Sequence, residues 1–352
     1  MANKIYAKIK NYIKENYKFL IGVILIITFF NIDTGYSIYK PGGVINMNNR
    51  ITSDYKSEGS FNMAYVGYME GKLPFYLFGK LNPSWELVKN NDLKEDNETI
   101  DDANVRNRLD YLNAISNAKI VAYKYSNTPY EIKSHHFYVI YVTKENNSGL
   151  KVGDEIISYD NIKMTSFDDF KDYISSKSAG DKINITYLRN DKEYDTSSTI
   201  YEEDNELYAG LVILDDKEVY SDKKIDLKTK ESESGPSGGL ITALSMYNAL
   251  ISEDITYGMK IVGTGTIDEN GNVGEIGGVT YKLAAAVKAK ADLFICPSKN
   301  YEDAINYAKE KKYEIIIRGV DTFEEALNVL KEEGEGNEIN WSRCNGKCSK
   351  KA

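Results

Sequence analysis

Two side chains in this 352-residue sequence are of types that could share one piece of chemistry. Ser237 sits among glycines in Gly235-Pro236-Ser237-Gly238-Gly239, and Lys282 follows 45 residues later in Gly277-Gly278-Val279-Thr280-Tyr281-Lys282. A serine hydroxyl is a weak nucleophile until a neighbouring base takes its proton, and a lysine can be that base once its amine is neutral. Leu240, Ala243, Leu244, Tyr247, Leu250 and Ile251 recur with helical spacing after Ser237. The serine is therefore expected at a helix N-terminus, where unpaired N–H groups and the positive dipole end could hold an oxyanion. Lys282 opens an alanine-rich helix with no acidic residue within one turn, a setting that would desolvate its amine and lower its pKa. Taken singly, each piece also suits a plainer role, a turn with a serine N-cap or a solvated surface charge.

Elimination narrows the choice of base. The chain has two histidines, His135 and His136, adjacent and about a hundred residues before Ser237, so a Ser/His/Asp triad would have to recruit one from a different segment. Beside an apolar run they read as a strand edge. There is no His-Glu-x-x-His motif, and the cysteines at 296, 344 and 348 lack partners at zinc-finger spacing, so neither a metal nor another cofactor is expected. Cys296 falls in the apolar run 293–296 and reads as core. The net charge of −9 argues against a nucleic-acid partner, because phosphate neutralisation requires basic patches.

The elements that position these residues follow from patterning. With 42% hydrophobic and 28% charged residues, the chain can build two or three domains with real cores. Lys4, Lys8, Lys10, Lys14 and Lys18 precede the apolar run 19–30. That run is shorter than the roughly 18 to 20 residues of a confident span, but flanking tyrosines and snorkelling lysines extend it. No Ala-x-Ala follows, so residues 1–35 are expected to form a cytoplasmic arm and an uncleaved transmembrane anchor, a cleavable signal peptide being the rival. Residues 36–129 alternate as strands do over 44–51 and 61–68 and are helical in pattern over 101–122, and no chemistry is assigned to them.

Residues 130–203 contain an apolar run at 136–142, then Leu150-Lys151-Val152-Gly153-Asp154-Glu155-Ile156-Ile157, a helical pattern over 166–177, and Gly180-Asp181-Lys182 before another strand. This order resembles a PDZ domain, a small β domain with a helix. The resemblance implies binding of an extended peptide as an added strand, although the usual carboxylate-binding loop is not legible. Residues 204–333 begin with strands over 207–214 and 219–228 and continue as alternating helices and strands, an α/β pattern. Residues 334–352 read as a polar tail, in which Cys344 and Cys348 could close a small disulfide outside the cell.

Four stretches of the C-terminal region, Gly235-Pro236-Ser237, Gly263-Thr264-Gly265-Thr266-Ile267, Gly271-Asn272-Val273-Gly274-Glu275-Ile276-Gly277-Gly278 with Lys282, and Phe294-Ile295-Cys296-Pro297, resemble the proteolytic domain of the Lon family. The resemblance implies that Ser237 is the nucleophile and Lys282 its base, that Thr264 orients the pair, and that N–H groups near Gly238 receive the oxyanion. Gly238 stands where the family usually has alanine. The whole order is similar to the PDZ-containing Lon-type serine peptidases of Gram-positive bacteria. That likeness implies a mixed α/β and α+β chain with its catalytic domain outside the cell membrane. It also implies ATP-independent cleavage of secreted peptides, unfolded proteins or exposed membrane-protein segments, since no Gly-x-x-x-x-Gly-Lys-Ser/Thr loop is present. A homo-oligomer stays open, and the alternative is a catalytically inactive, membrane-tethered PDZ scaffold.

Overall fold

A 30-residue helix, α1 (Ala2–Asn31), opens the computed structural model, which describes residues 2–52, 55 and 57–343. The described chain divides into two units, one made of Met1–Pro41 and Gly67–Leu93, the other of Gly42–Val66 and Lys94–Ala352. In the first unit, β1 (Asp33–Asn46) pairs antiparallel with a short strand, β3 (Glu86–Lys89), from Tyr36↔Lys89 to Tyr39↔Glu86. β2 (Ser60–Lys72) leads there into α2 (Leu73–Leu81), whose first turn holds Pro74, where a missing N–H costs nothing. The transmembrane span expected at the N-terminus is not shown. Among the described residues no helix is long and apolar enough to cross a membrane. The physical reason is length: the run 19–30 covers roughly 18 Å of helix, against a hydrocarbon core of about 30 Å.

The second unit is built on a sheet whose parallel part grows outward from the strand Lys260–Gly263. β9 (Lys260–Gly263) pairs parallel with β2 on one side and with β10 (Leu293–Pro297) on the other, and β10 pairs parallel with β11 (Ile316–Val320). Every residue of β10 is buried, as a parallel strand covered on both faces requires. Successive side chains point to opposite faces, so the strands feed two cores. On one face Phe61, Met63, Ile261 and Ile295 pack with Leu240, Ile241 and Leu244 of α5 (Gly239–Leu250). On the other, Ala64, Val262, Phe294 and Cys296 pack with Leu283 and Ala286 of α6 (Val279–Lys288), and with Ala304 and Ala308 of α7 (Ser298–Lys311).

Residues before the PDZ-like stretch belong to this same core. Met47, Ile51, Phe61 and Met63 lie in it, together with Ala118, Val121 and Ala122 of α3 (Ile100–Tyr125). α3 starts at a capping box in which Thr99 accepts from the Asp102 N–H and Asp102 accepts from the Thr99 N–H. Region 36–129, set apart in the sequence reading, thus contributes strands and a helix to the domain that carries Ser237.

Between α3 and Ile225 the chain builds a second sheet with its own core of Phe137, Val139, Ile156, Phe170, Ile174, Ile183 and Ile213. Its order is β8-β4-β5-β6-β7, with β4 (Glu131–Val142), β5 (Glu155–Tyr159), β6 (Lys182–Arg189), β7 (Lys192–Thr199) and β8 (Leu211–Tyr220). α4 (Phe167–Ser175) packs into the same core, capped by the Ser166 hydroxyl accepting from the Asp168 and Asp169 N–H groups. Of the strands expected over 207–214 and 219–228, Glu206–Tyr208 pairs instead with Tyr201–Glu203, and Leu211–Tyr220 is the single strand β8, which pairs with β4 from Leu211↔Val142 to Tyr220↔Glu131. Past Tyr220 the expected strand is not formed, and Leu227 makes an isolated bridge to Ile51. Ile213 faces Phe137 and Val139 in the inserted core, and that burial attaches the strand there. At the other end α8 (Phe323–Arg343) continues through residues read as tail, and Cys344 and Cys348 lie outside the described residues.

Candidate active site

Ser237 occupies the middle of a 3₁₀ turn, Pro236–Gly238, that runs directly into α5. Gly235 before it has φ of 83°, a left-handed conformation that glycine adopts without a Cβ penalty, and Pro236 fixes φ for the first turn residue. The Ser237 side is half-buried. Its backbone carbonyl accepts two hydrogen bonds, from the Thr264 hydroxyl at 2.9 Å and the Gly265 N–H at 2.8 Å. Thr264 is fully buried, immediately follows β9, and donates its N–H to Ile295 on the neighbouring strand. The Leu240 N–H donates to Gly265, and the Thr242 hydroxyl donates to Gly238 within α5. The serine turn is thereby tied to the C-terminal end of the parallel strands, where open α/β sheets place their sites.

The loop before the serine is held by a polar clamp that no sequence pattern announced. Arg50 pairs with Glu233 at 2.7 Å and also donates to the Lys228 carbonyl. Tyr111 donates to Glu233, Arg108 donates to the carbonyls of Glu233 and Lys230, and the Gly235 N–H donates to Asn107. Burial pushes the Glu233 carboxyl up, but the Lys230 N–H, the Tyr111 hydroxyl and the Arg50 guanidinium together hold it below the usual carboxylate range. Burial, and next the Glu233 carboxylate, push the Tyr111 phenol up.

Lys282 lies in the first turn of α6, which enters through Gly278 at φ 68°. The side chain is 3% exposed. Burial alone pulls its amine down from the ordinary lysine value to about 8, with no carboxylate opposing the shift. Val66, three residues past the β2 residue that pairs with Gly263, sits against Gly278, so α6 also begins beyond the C-terminal edge of the parallel strands. The structure thus joins Ser237, Gly238 and Thr264 in one bonded turn and sets Lys282 on the helix covering the other face. Among the described residues no hydrogen bond links the Ser237 hydroxyl to the Lys282 amine.

The histidines are engaged elsewhere. His135 meets Asp215 at 2.9 Å and His136 meets Glu155 at 2.7 Å, both in cross-strand pairs of the inserted sheet. Cys296 is fully buried in β10, and burial pushes its thiol up to about 12, as for a core residue. In the inserted sheet, β8 is an edge strand entered through Gly210 at φ 72°, whose carbonyl accepts from the Thr143 N–H.

Residues 124–200 match the PDZ domain, and residues 212–332 match the Lon protease (S16) C-terminal proteolytic domain. The Lon protease of Campylobacter jejuni subsp. jejuni is 34% identical over 121 residues, which is 33% of this chain and 15% of that protein. The archaeal Lon protease of Halobacterium salinarum is 32% identical over 111 residues, 31% of this chain and 16% of that protein. The chain therefore spans less than a fifth of the length of these curated relatives. Among solved structures, the PDZ domain of the SdrC-like protein from Listeria monocytogenes is 24% identical, with a TM-score of 0.22, covering 24% of this chain and 93% of that one.

Proposed function

We propose that this chain, which carries a PDZ domain and a Lon-type (S16) proteolytic domain, is an ATP-independent serine endopeptidase. The observation that carries the reading is Lys282: a lysine 3% exposed, with its amine drawn down to about 8 and no ion pair among the described residues, holds an appreciable neutral fraction near neutral pH. In this reading neutral Lys282 takes the proton of Ser237 as the hydroxyl oxygen attacks the scissile carbonyl. N–H groups near Gly238 receive the developing oxyanion. Protonated Lys282 then gives its proton to the departing amine, leaving an acyl-serine that water hydrolyses with Lys282 again as base. Thr264 keeps the serine turn in place through the Ser237 carbonyl.

The substrate class in this proposal is a peptide or unfolded segment, selected by strand addition to the inserted sheet. The apolar run of α1, with Phe19, Ile24, Leu25 and Ile27 exposed, is proposed to seat in the cell membrane, leaving the lysine-rich arm on the cytoplasmic side. The test is cleavage of a quenched-fluorescence peptide library by the full chain in detergent, beside Ser237→Ala and Lys282→Ala. Loss of cleavage in both, with unchanged circular dichroism, is the expected result. Retained cleavage in Lys282→Ala would remove the dyad.

A further inference from the structure

Gly238 follows the nucleophile directly, and its backbone gives no reason for it to be glycine. Its φ of −93° and ψ of −2° are open to every residue. The reason is steric. A methyl group built on Gly238 would overlap the Met63 sulfur and lie 3.1 Å from its Cγ and 3.6 Å from its Cε. Met63 is 8% exposed and reaches this place because β2 pairs in parallel with β9, Met63 opposite Gly263, one residue before the Thr264 that holds Ser237. The turn is therefore gripped from two sides, by hydrogen bonds to the Ser237 carbonyl and by a thioether pressed on the Gly238 Cα.

From this contact we infer that Met63 is a positioning residue for the Ser237–Gly238 turn, its side chain filling the space that a side chain at 238 would otherwise take. The inference rests on the peptidase reading above. A polarisable, unbranched thioether fills irregular gaps well, and a small misplacement of a nucleophile and its N–H donors lowers turnover steeply. Because β2 lies outside the residues that match the Lon proteolytic domain, a segment near the N-terminus completes the support of the site.

The test is a double-substitution cycle in the full chain. Met63→Ala should lower kcat about tenfold with KM within twofold, because the turn loses its backing and not its substrate contacts. Gly238→Ala should lower kcat at least as far. The double variant Met63→Ala/Gly238→Ala should recover to within about threefold of the parent, and Met63→Leu, of similar volume, should keep more than half of the parent kcat. Turnover is normalised to Ser237 reacted at saturation with a fluorophosphonate probe, so that misfolded protein does not count. A parent that reacts at Ser237 while Met63→Ala matches its kcat, or a double variant no better than the worse single, overturns the positioning role alone. A parent that neither cleaves nor reacts at Ser237 removes the peptidase reading and this role with it.

Discussion

Arg50 and Glu233 form a 2.7 Å ion pair, with side chains 14% and 13% exposed, that ties the chain after β1 to the loop leading into Ser237. Removing the guanidinium would leave a nearly buried carboxylate short of its main counter-charge. Arg50→Ala should therefore cost about 3 kcal/mol of stability and should lower cleavage beyond the loss of folded protein, since the same loop sets the serine turn. Urea unfolding beside probe-normalised turnover measures both. Glu233 also predicts an acid limb: its folded pKa lies below the unfolded value near 4.5, so its contribution is present above that value and lost as pH falls through the folded one. Arg50→Ala should flatten that limb.

Lys282 predicts opposed effects on activity and stability. In the proposed mechanism the neutral amine is the working form, so cleavage should rise with pH through about 8 and level off above it. The folded pKa is depressed below 10.5, so the unfolded chain binds the extra proton, and stability should rise with pH between about 8 and 10.5. Lys282→Met removes the burden of a charged amine in an apolar setting. At pH 7 it should abolish cleavage while stabilising the fold on the order of 3 kcal/mol, and thermal denaturation against pH would show it. A variant that is inactive and also less stable than the parent would count against the burial.

Thr264 holds Ser237 through a hydroxyl-to-carbonyl bond in a fully buried place. Thr264→Val keeps the volume and leaves the Ser237 carbonyl with the Gly265 N–H alone. A stability loss of about 1 kcal/mol is expected, with a larger fall in kcat than in 1/KM, and Thr264→Ser should restore most of it. Steady-state kinetics on one fluorogenic peptide suffices.

The local parts of the site were legible because their signals are local. Glycines around Ser237, the alanine-rich start of α6 and the helical pattern over 101–122 each act within a few residues. What could not be read was which distant strand completes the sheet. Nothing near Ser60 says that its partner is Lys260, and the alternation in β8 is the same whether it joins the protease sheet or β4. The Arg50–Glu233 clamp and the Met63 contact follow from that pairing, so they stayed hidden with it. For the apolar run 19–30 the flanking pattern suggested a span, whereas among the described residues no helix is long and apolar enough to cross a membrane.

Gly210 gives a test of the inserted sheet that leaves the catalytic residues untouched. It sits at φ 72° with Asn146 Cβ and Thr143 Oγ1 each 2.9 Å from where a Cβ would stand. Gly210→Val should distort the entry to β8 and weaken cleavage of a peptide that needs the PDZ edge more than that of a short ester. Competition by an unlabelled peptide against each substrate reads the difference. Equal losses on both would mean that the inserted sheet supports the protease fold itself. Deleting residues 130–203 alone would be a poorer test, because β8 would lose its β4 partner.

The parallel pairing of β2 with β9 has a kinetic side. The Asn62 side chain donates to the Ile261 carbonyl, 199 residues further on, and the inserted sheet with its separate core lies between them. β2 can pair with β1 early, but its other edge must wait for β9 until most of the chain is made, and the loop entropy of joining them should fall once the insert has collapsed and shortened the effective separation. Folding should then run in two stages, the insert first and the nucleophile-bearing sheet second. In the peptidase reading proposed above, the chain would acquire its serine turn last, when the rest of it is already packed and out of reach.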